Sequence, residues 1–354
     1  LTQLALMPIA DQSRQQSSEE SPGTLILTGA DVRAVLGMEE CIAAVQQAHA
    51  LHAAGEASTG SLGLHVDGGG FHVKVAAARL GRPYFVAKTN ANFPDNPVLR
   101  SLPTIQGVIV LCDATDGRLL ALLDSIEVTA LRTGAATAVA ARFLARPDSS
   151  VVTIVGCGTQ GRTQLRALAR VLPLERAYAV DRSEAAARTF AAEMTAELDL
   201  AVTTARDLAR ATRVSDVCVT CTPSRRPLLG RDDVRSGAFV AAVGADHPEK
   251  QELDPDLFRG AVVVADVLDQ CLEFGDLHHA VAAGALTRDD VHGELGQVVT
   301  GARPLSGSET ATVIFDSTGT ALQDVAAAAI AYERALGSGG GRAVRLAGSA
   351  ASDS

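Results

Sequence analysis

The stretch that most constrains this chain is Ser150-Val-Val-Thr-Ile-Val-Gly-Cys-Gly-Thr-Gln-Gly161, an apolar run ending in a G-x-G-x-x-G turn. A run with no polar alternation reads as a strand covered on both faces, the condition of a parallel sheet. Gly156 permits a tight turn into a helix opening at Arg162, Gly158 lets backbone approach a pyrophosphate, and Gly161 lets helix and strand pack closely. The helix start presents unpaired N–H groups and partial positive charge, with Thr159 and Gln160 placed to face phosphates.

The surrounding text repeats the pattern. Apolar runs at Ala177–Val180, Val217–Thr220, Ala238–Val243 and Val262–Ala265 alternate with helical or mixed stretches such as Glu184–Leu198 and Ala205–Ala211. This predicts an α/β fold, a Rossmann-type doubly wound parallel sheet. The strand Arg176–Val180 ends in Asp181, 25 residues past Gly156. A carboxylate there suits a ribose diol and repels a 2′-phosphate, so NAD is expected over NADP, although Arg182 beside it could receive that phosphate. Ligands of such sheets bind at the carboxyl ends of the strands. That places Thr222, Val243, Gly244 and Ser317 as cofactor-lining candidates. It also delivers Asp246 to the crevice, where desolvation is expected to raise its pKa and suit it to acid/base work. The alternative for Asp246 is an exposed turn acid capping the next segment.

The segments before residue 140 read differently. Leu25–Leu27 is a short strand, and Thr28 with Asp31 forms a capping-box pattern. A helix follows over about 39–54. Short apolar or alternating runs at Gly63–Val66, Phe71–Ala76, Tyr84–Thr89 and Gly107–Cys112 predict a mixed sheet, and Ser125 opens a helix to about Leu144. A late strand at Thr312–Phe315 precedes an Ala-rich helix, Ala321–Leu336, assigned back to this first unit. The expected division is a tail over 1–22, a first domain over 23–140 plus 315–337, a dinucleotide domain over 141–314, and a flexible Gly-rich tail over 338–354.

Only three lysines, Lys74, Lys88 and Lys250, stand among 31 Lys+Arg. Strand alternation puts His72 and Lys74 on one face, opposite Phe71 and Val73. Arg132 lies in a helix otherwise made of small apolar residues, and a cation there needs an anion. Arg132 and Lys88 therefore point to a carboxylate-binding site, with Lys74 as a third candidate; the alternative for Arg132 is an internal salt bridge with Asp124 or Glu127.

Other classes fall behind. A net charge of −10 with no basic block argues against nucleic acid, and no apolar run reaches the roughly 18–20 residues of a membrane span. The start lacks the basic region of a secretory signal, so a reducing, cytoplasmic setting is expected. Cys218 and Cys221 sit on one strand at positions facing opposite ways, which fits buried hydrophobes rather than a metal or disulfide. His278 and His279 are adjacent and lack a third ligand, so no metal site is expected.

Taken with Lys88-Thr-Asn-Ala-Asn-Phe-Pro94, Leu102-Pro-Thr-Ile-Gln-Gly107, Leu131-Arg-Thr-Gly-Ala-Ala136, Val243-Gly-Ala-Asp-His-Pro-Glu-Lys-Gln-Glu-Leu253, Glu294-Leu-Gly296 and Phe315-Asp-Ser-Thr-Gly319 before Asp324, the chain resembles the ornithine cyclodeaminase/mu-crystallin family from about residue 25 to 336. The resemblance implies a two-domain homodimer in which 23–140 plus 315–337 form the substrate and dimerisation domain, Lys88 and Arg132 hold a substrate carboxylate, Asp246 is the catalytic acid/base and Thr104 touches the cofactor. It also has departures. The family arginine before the third strand is missing from Ser58–His65, where Lys74 is a possible substitute. His72 stands where cyclodeaminases place an acid for the distal ammonium of ornithine. The expected function is NAD-dependent chemistry at the Cα–N bond of an amino acid through an imine, with Asp246 and Lys88 catalytic. Cyclodeamination of ornithine or a related basic amino acid, net dehydrogenation or imine reduction, and a non-catalytic ligand carrier are the three outcomes left open.

Overall fold

The computed structural model describes residues 23–305 and 310–346; the expected tail over 1–22 and the last eight residues of the chain lie outside them. Two large sheets organise the chain. One has eight strands in the order Gly293–Glu294, Val262–Ala265, Val313–Asp316, Phe239–Ala242, Val217–Thr220, Val151–Val155, Arg176–Val180 and Ala201–Thr204. All its pairings are parallel, as strands without a polar face require. The strand order reverses between Val151–Val155 and Val217–Thr220, which opens a crevice at their carboxyl ends.

The other sheet has seven strands, running Arg342–Val344, Thr24–Leu27, Leu119–Asp124, Ile105–Asp113, Arg82–Asn92, Gly69–Leu80 and Ala57–Val66. Its register sorts side chains into two populations. Ser61, Lys74, Lys88 and Ile109 form one cross-strand row, and Leu62, Val73, Thr89 and Val108 the next. The first row faces helix Ala321–Ser338. The second belongs to an outer face on which Leu62, Leu64, Phe71 and Val108 are exposed.

Helix Ser125–Leu144 packs against Met38–Ala53, Ala321–Ser338 and Thr159–Leu168. Its alanines make this possible in a chain with 3% aromatics, because small side chains let helix axes approach. At Gly134 an added Cβ would sit 2.8 Å from the Thr163 side chain of Thr159–Leu168. Asp124 begins the helix by accepting the N–H groups of Ile126 and Glu127, and Thr28 and Asp31 form the expected capping box.

Three expectations need correction. Residues 338–346 are not a flexible tail: the last helix runs to Ser338, Gly339 caps it in the left-handed region at φ 69°, and Arg342–Val344 pairs antiparallel with Thr24–Ile26. The open edge of Thr24–Leu27 supplies the hydrogen bonds that composition does not reveal. The late strand, Val313–Asp316, lies wholly within the parallel sheet, so the chain leaves that sheet after Asp316 rather than at 315. Leu119–Asp124 and Ala201–Thr204 are additional strands. Among the described residues, no helix is long and apolar enough to cross a membrane.

Candidate active site

The glycine turn lies at the reversal point. Gly156 has φ 104°, and a Cβ on it would come within 2.8 Å of the Cys221 carbonyl and 3.0 Å of the Thr222 methyl. At Gly161 a Cβ would lie 2.1 Å from the Gly156 carbonyl. These two glycines are compelled by packing. Gly158 is different: it caps helix Thr159–Leu168 with no atom within 4 Å of a Cβ position. That open approach and the exposed helix start at Thr159 form a cradle suited to a phosphate; the buried Gln160 amide oxygen, without a hydrogen-bond partner, is an acceptor and suits a donor such as a hydroxyl instead. Asp181 holds the cradle from the next strand. Its carboxylate accepts Cys157 N–H and Ser183 N–H, each at 2.8 Å, leaving lone pairs for ribose hydroxyls. Arg182 is exposed beside it. The residues present fit a dinucleotide.

The remaining strand ends continue the crevice. Thr222 follows Val217–Thr220, and Val243-Gly244 follows Phe239–Ala242, with Val243 N–H bonded to the Thr220 carbonyl. Ser317 is buried after Val313–Asp316, its hydroxyl donating to Asp266 at 2.9 Å. Thr104 stands at the entrance to Ile105–Asp113. Its carbonyl accepts Phe93 N–H, and its hydroxyl makes no hydrogen bond to the crevice residues.

The cations converge, and on an acid that the sequence reading left without a role. Lys88 Nζ lies 2.6 Å from one Asp324 oxygen, and Arg132 Nε lies 3.0 Å from the other. Arg132 also donates to Gln323 at 2.7 Å. Its partner is thus neither Asp124, which caps its own helix, nor Glu127, which pairs with Arg33. Lys88 and Arg132 are 3% and 5% exposed and Asp324 is fully buried. Burial, then the Arg132 charge, pushes the Lys88 ammonium down to about 7. Burial alone would raise Asp324, but Lys88 and Arg132 more than reverse this and hold it below the usual carboxylate range. Lys74 donates to the carbonyls of Thr318, at 3.1 Å, and Gly319; burial and the Arg132 charge lower its pKa. An acid in Ala321-Leu-Gln-Asp-Val-Ala326, where the other polar residue is the uncharged Gln323, carries the same signal as Arg132, a buried charge in need of a partner.

A cavity of about 200 Å³ opens beside this cluster, with His65, His72, Lys74, Asp246, His247 and Glu273 among its lining residues. Lys88 and Arg132 do not line it; they are sealed behind. The His247 ring meets His65 edge-on at a centroid distance of 5.7 Å and His72 at 6.3 Å. Burial lowers the His72 pKa, so its ring is neutral at neutral pH. Asp246 corrects another expectation: its pKa is lowered, not raised. The crowding that would raise it is outweighed by Lys250, with Lys74 and His72 adding to the effect. Its side chain is 52% exposed and pairs with Lys250, four residues on in the same loop.

Cys218 is buried and Cys221 half-buried, both as free thiols. His278 and His279 bond to the carbonyls of Leu272 and Lys250. Among the described residues no His, Cys, Asp and Glu group could hold a metal ion.

A parallel sheet whose reversal point carries a glycine cradle, beside a cavity lined by Lys74, Asp246 and Glu273 with Lys88 and Arg132 sealed behind it, defines a dinucleotide-binding protein. The chain belongs to the ornithine cyclodeaminase/mu-crystallin family, whose model matches residues 23–339. It is 37% identical over 324 residues to an alanine dehydrogenase of Archaeoglobus fulgidus, covering 91% of this chain and 98% of that protein. Among solved structures it is similar to an archaeal alanine dehydrogenase dimer with bound NAD, at 37% identity and TM-score 0.87, covering 92% of this chain and 99% of that one. The iminosuccinate reductase of Paracoccus denitrificans in complex with NAD+ matches at 30% identity and TM-score 0.85, over 92% of this chain and 100% of that one.

Proposed function

We propose that this protein is an NAD-dependent enzyme acting at the Cα–N bond of an amino acid, interconverting the amine with its imine or 2-oxo acid. The observation that carries this reading is continuity along the carboxyl ends of the parallel strands. Gly156 touches Thr222, Thr222 touches Gly244, and two residues later Asp246 enters a cavity floored by Lys74. The relatives solved with NAD support that cofactor, as does the carboxylate of Asp181 at the ribose position. Bound NAD supplies the hydride acceptor or donor.

The chain's own residues do the rest. Lys74 lines the cavity, and Lys88 and Arg132 stand sealed behind it against one buried carboxylate, Asp324, so their combined charge favours an anion such as a substrate α-carboxylate at Lys74. Holding that group orients the substrate, and orientation contributes much of an enzyme's advantage. Asp246, kept ionised by Lys250, accepts a proton from the substrate amine in oxidation and returns it in reduction, a transfer worth roughly 10²–10⁴-fold. The ammonium of Lys74, with the His72 ring beside it kept from its charged form by burial, disfavours a cationic side chain next to it, which favours net dehydrogenation or imine reduction of small or acidic substrates. Cyclodeamination of a diamino acid is the second reading, favoured by Glu273, a carboxylate in the same cavity that could receive a distal ammonium.

Absorbance of NADH during incubation with alanine, aspartate, ornithine, lysine and cyclic imines separates the two. Steady NADH change supports the dehydrogenase or reductase, and ammonia release from ornithine without net NADH supports the lyase. Absence of both, with NADH bound, removes the catalytic reading. We further propose a homodimer: Leu62, Leu64 and Phe71 form an exposed apolar face beside an edge strand, a surface that soluble monomers seldom leave bare, and the similar alanine dehydrogenase is a dimer.

A further inference from the structure

Glu252 has no part in the chemistry above, yet it is fully buried and makes three strong contacts. One carboxylate oxygen accepts Thr222 N–H at 2.6 Å and the Thr222 hydroxyl at 2.7 Å. The other accepts Gly244 N–H at 2.9 Å. Thr222 and Gly244 lie in the loops that leave two adjacent parallel strands, Val217–Thr220 and Phe239–Ala242. One side chain therefore ties together the wall of the glycine turn and the root of the turn that carries Asp246. The fit is close: a Cβ on Gly244 would lie 2.4 Å from the Thr222 carbonyl and 2.6 Å from the Glu252 carboxyl carbon.

Glu252 is itself held rigidly. It sits in the short strand Gln251–Leu253, which pairs with Arg225–Leu229. Its own N–H and that of Leu253 donate to one Asp276 oxygen at 2.8 and 2.7 Å. Asp316, at the end of strand Val313–Asp316, accepts Leu277 N–H at 2.9 Å. Among the described residues no Lys or Arg pairs with Glu252, Asp276 or Asp316. An unpaired buried carboxylate is costly, and its backbone and hydroxyl donors all belong to segments that form the crevice. Such expense is wasted on a group that merely fills space, because an apolar side chain would pack there without the desolvation cost.

We propose that Glu252 is a positioning residue, whose carboxylate clamps the Thr222 loop to the Gly244 turn and so fixes Asp246 relative to the cofactor-binding wall. The part concerning Asp246 rests on the function proposed above; the clamp itself does not. Glu252→Gln keeps the shape but turns an amide N–H₂ toward one of the donors, so the clamp opens on that side. Thr222→Val removes one donor and keeps the fold's volume, and Thr222→Ser restores the hydroxyl.

The test uses the full chain. Hydrogen exchange of the apoprotein reads the clamp directly: Glu252→Gln should raise exchange in peptides covering 221–224 and 243–247 by about tenfold or more, leaving strand Val151–Val155 unchanged. Fluorescence titration should show NADH binding weakened about fivefold or more in Glu252→Gln and in Thr222→Val, and restored in Thr222→Ser. With turnover expressed per NADH-binding site, kcat should fall about tenfold or more while KM for the amino acid stays within about threefold, the mark of a misplaced group rather than a lost contact. Unchanged exchange and unchanged NADH affinity in Glu252→Gln overturn the clamp; if that variant does not fold, an unchanged NADH affinity in Thr222→Val does so. If the wild type turns over no amino acid or imine, the proposed function fails, and the exchange and NADH results still decide on Glu252.

Discussion

Lys74 and Lys88 stand directly opposite each other on neighbouring antiparallel strands, a like-charge pair on the buried face of the seven-stranded sheet. Facing charges of one sign destabilise a sheet, so each needs its own compensation. Both compensations come from one segment. The carbonyls of Thr318 and Gly319 hold Lys74, and Asp324, five residues beyond Gly319, holds Lys88 together with Arg132. The segment that follows the last strand of the parallel sheet thus also holds the cations of the other sheet. It leaves more positive than negative charge behind the cavity.

That surplus would make binding of the carboxylate proposed above pH-dependent. Burial and Arg132 hold the Lys88 ammonium down to about 7, and a bound carboxylate favours its charged form, raising the pKa in the complex. Above pH 7 binding must therefore take up a proton, and below pH 7 it need not. The dissociation constant for pyruvate, titrated in the presence of NADH, should rise by up to about tenfold per pH unit above 7 and level off below it. Lys88→Met should weaken binding and flatten the profile. A flat wild-type profile would remove Lys88 from the carboxylate site.

Asp324 is the anion on which the cluster depends. Asp324→Asn leaves Arg132 and Lys88 buried with no carboxylate between them, and breaking a buried pair in this way typically costs about 3–5 kcal/mol. Urea denaturation should show that loss. Adding Lys88→Met to it should recover part of the stability, because the second change removes a charge the first left uncompensated. Additive losses in the double variant would show that the two residues do not act on one another.

How much of this was legible before the structure depends on how local each cause is. The parallel strands were readable because an apolar run without alternation has few other uses, and the glycine turn because its spacing serves one geometry. Leu119–Asp124 was not, since it runs into helix Ser125–Leu144 with no turn: Asp124 ends the strand and caps the helix at once. The charge on Arg132 declared the need for an anion, but the choice of Asp324 over Asp124 is made by tertiary packing across 192 positions. Asp246 shows the reverse failure. Its cation stands four residues away in the sequence, but only the turn at Pro248–Glu249 brings Lys250 back onto it.

The three glycines of the turn should separate folding from binding. Gly161→Ala places a methyl 2.1 Å from a backbone carbonyl that has nowhere to move, so thermal denaturation should show a strongly destabilised or unfolded protein. Gly158→Ala meets open space, and its melting temperature without cofactor should stay within about 2 °C of wild type. The same methyl stands where a pyrophosphate would approach, so NADH affinity should fall about tenfold or more. Full NADH affinity in Gly158→Ala would place the phosphates elsewhere.

Lys250 sets the charge state of Asp246, the base proposed above. The carboxyl is held below its ordinary pKa chiefly by Lys250, with smaller help from Lys74 and His72, against crowding that acts in the opposite sense. A group with a lowered pKa stays ionised as pH falls through the ordinary carboxylate range, so activity requiring the base persists into acid. Lys250→Met removes the largest source of the lowering and lets crowding dominate. The acid limb of the kcat/KM profile should then move upward in pH, with the plateau rate at alkaline pH little changed. Asp246→Asn should instead lower the whole profile by about tenfold or more, since no pH restores the missing base. An acid limb that stays in place in Lys250→Met would assign that limb to another group, and an Asp246→Asn enzyme within about threefold of wild type would end the case for Asp246 as the base.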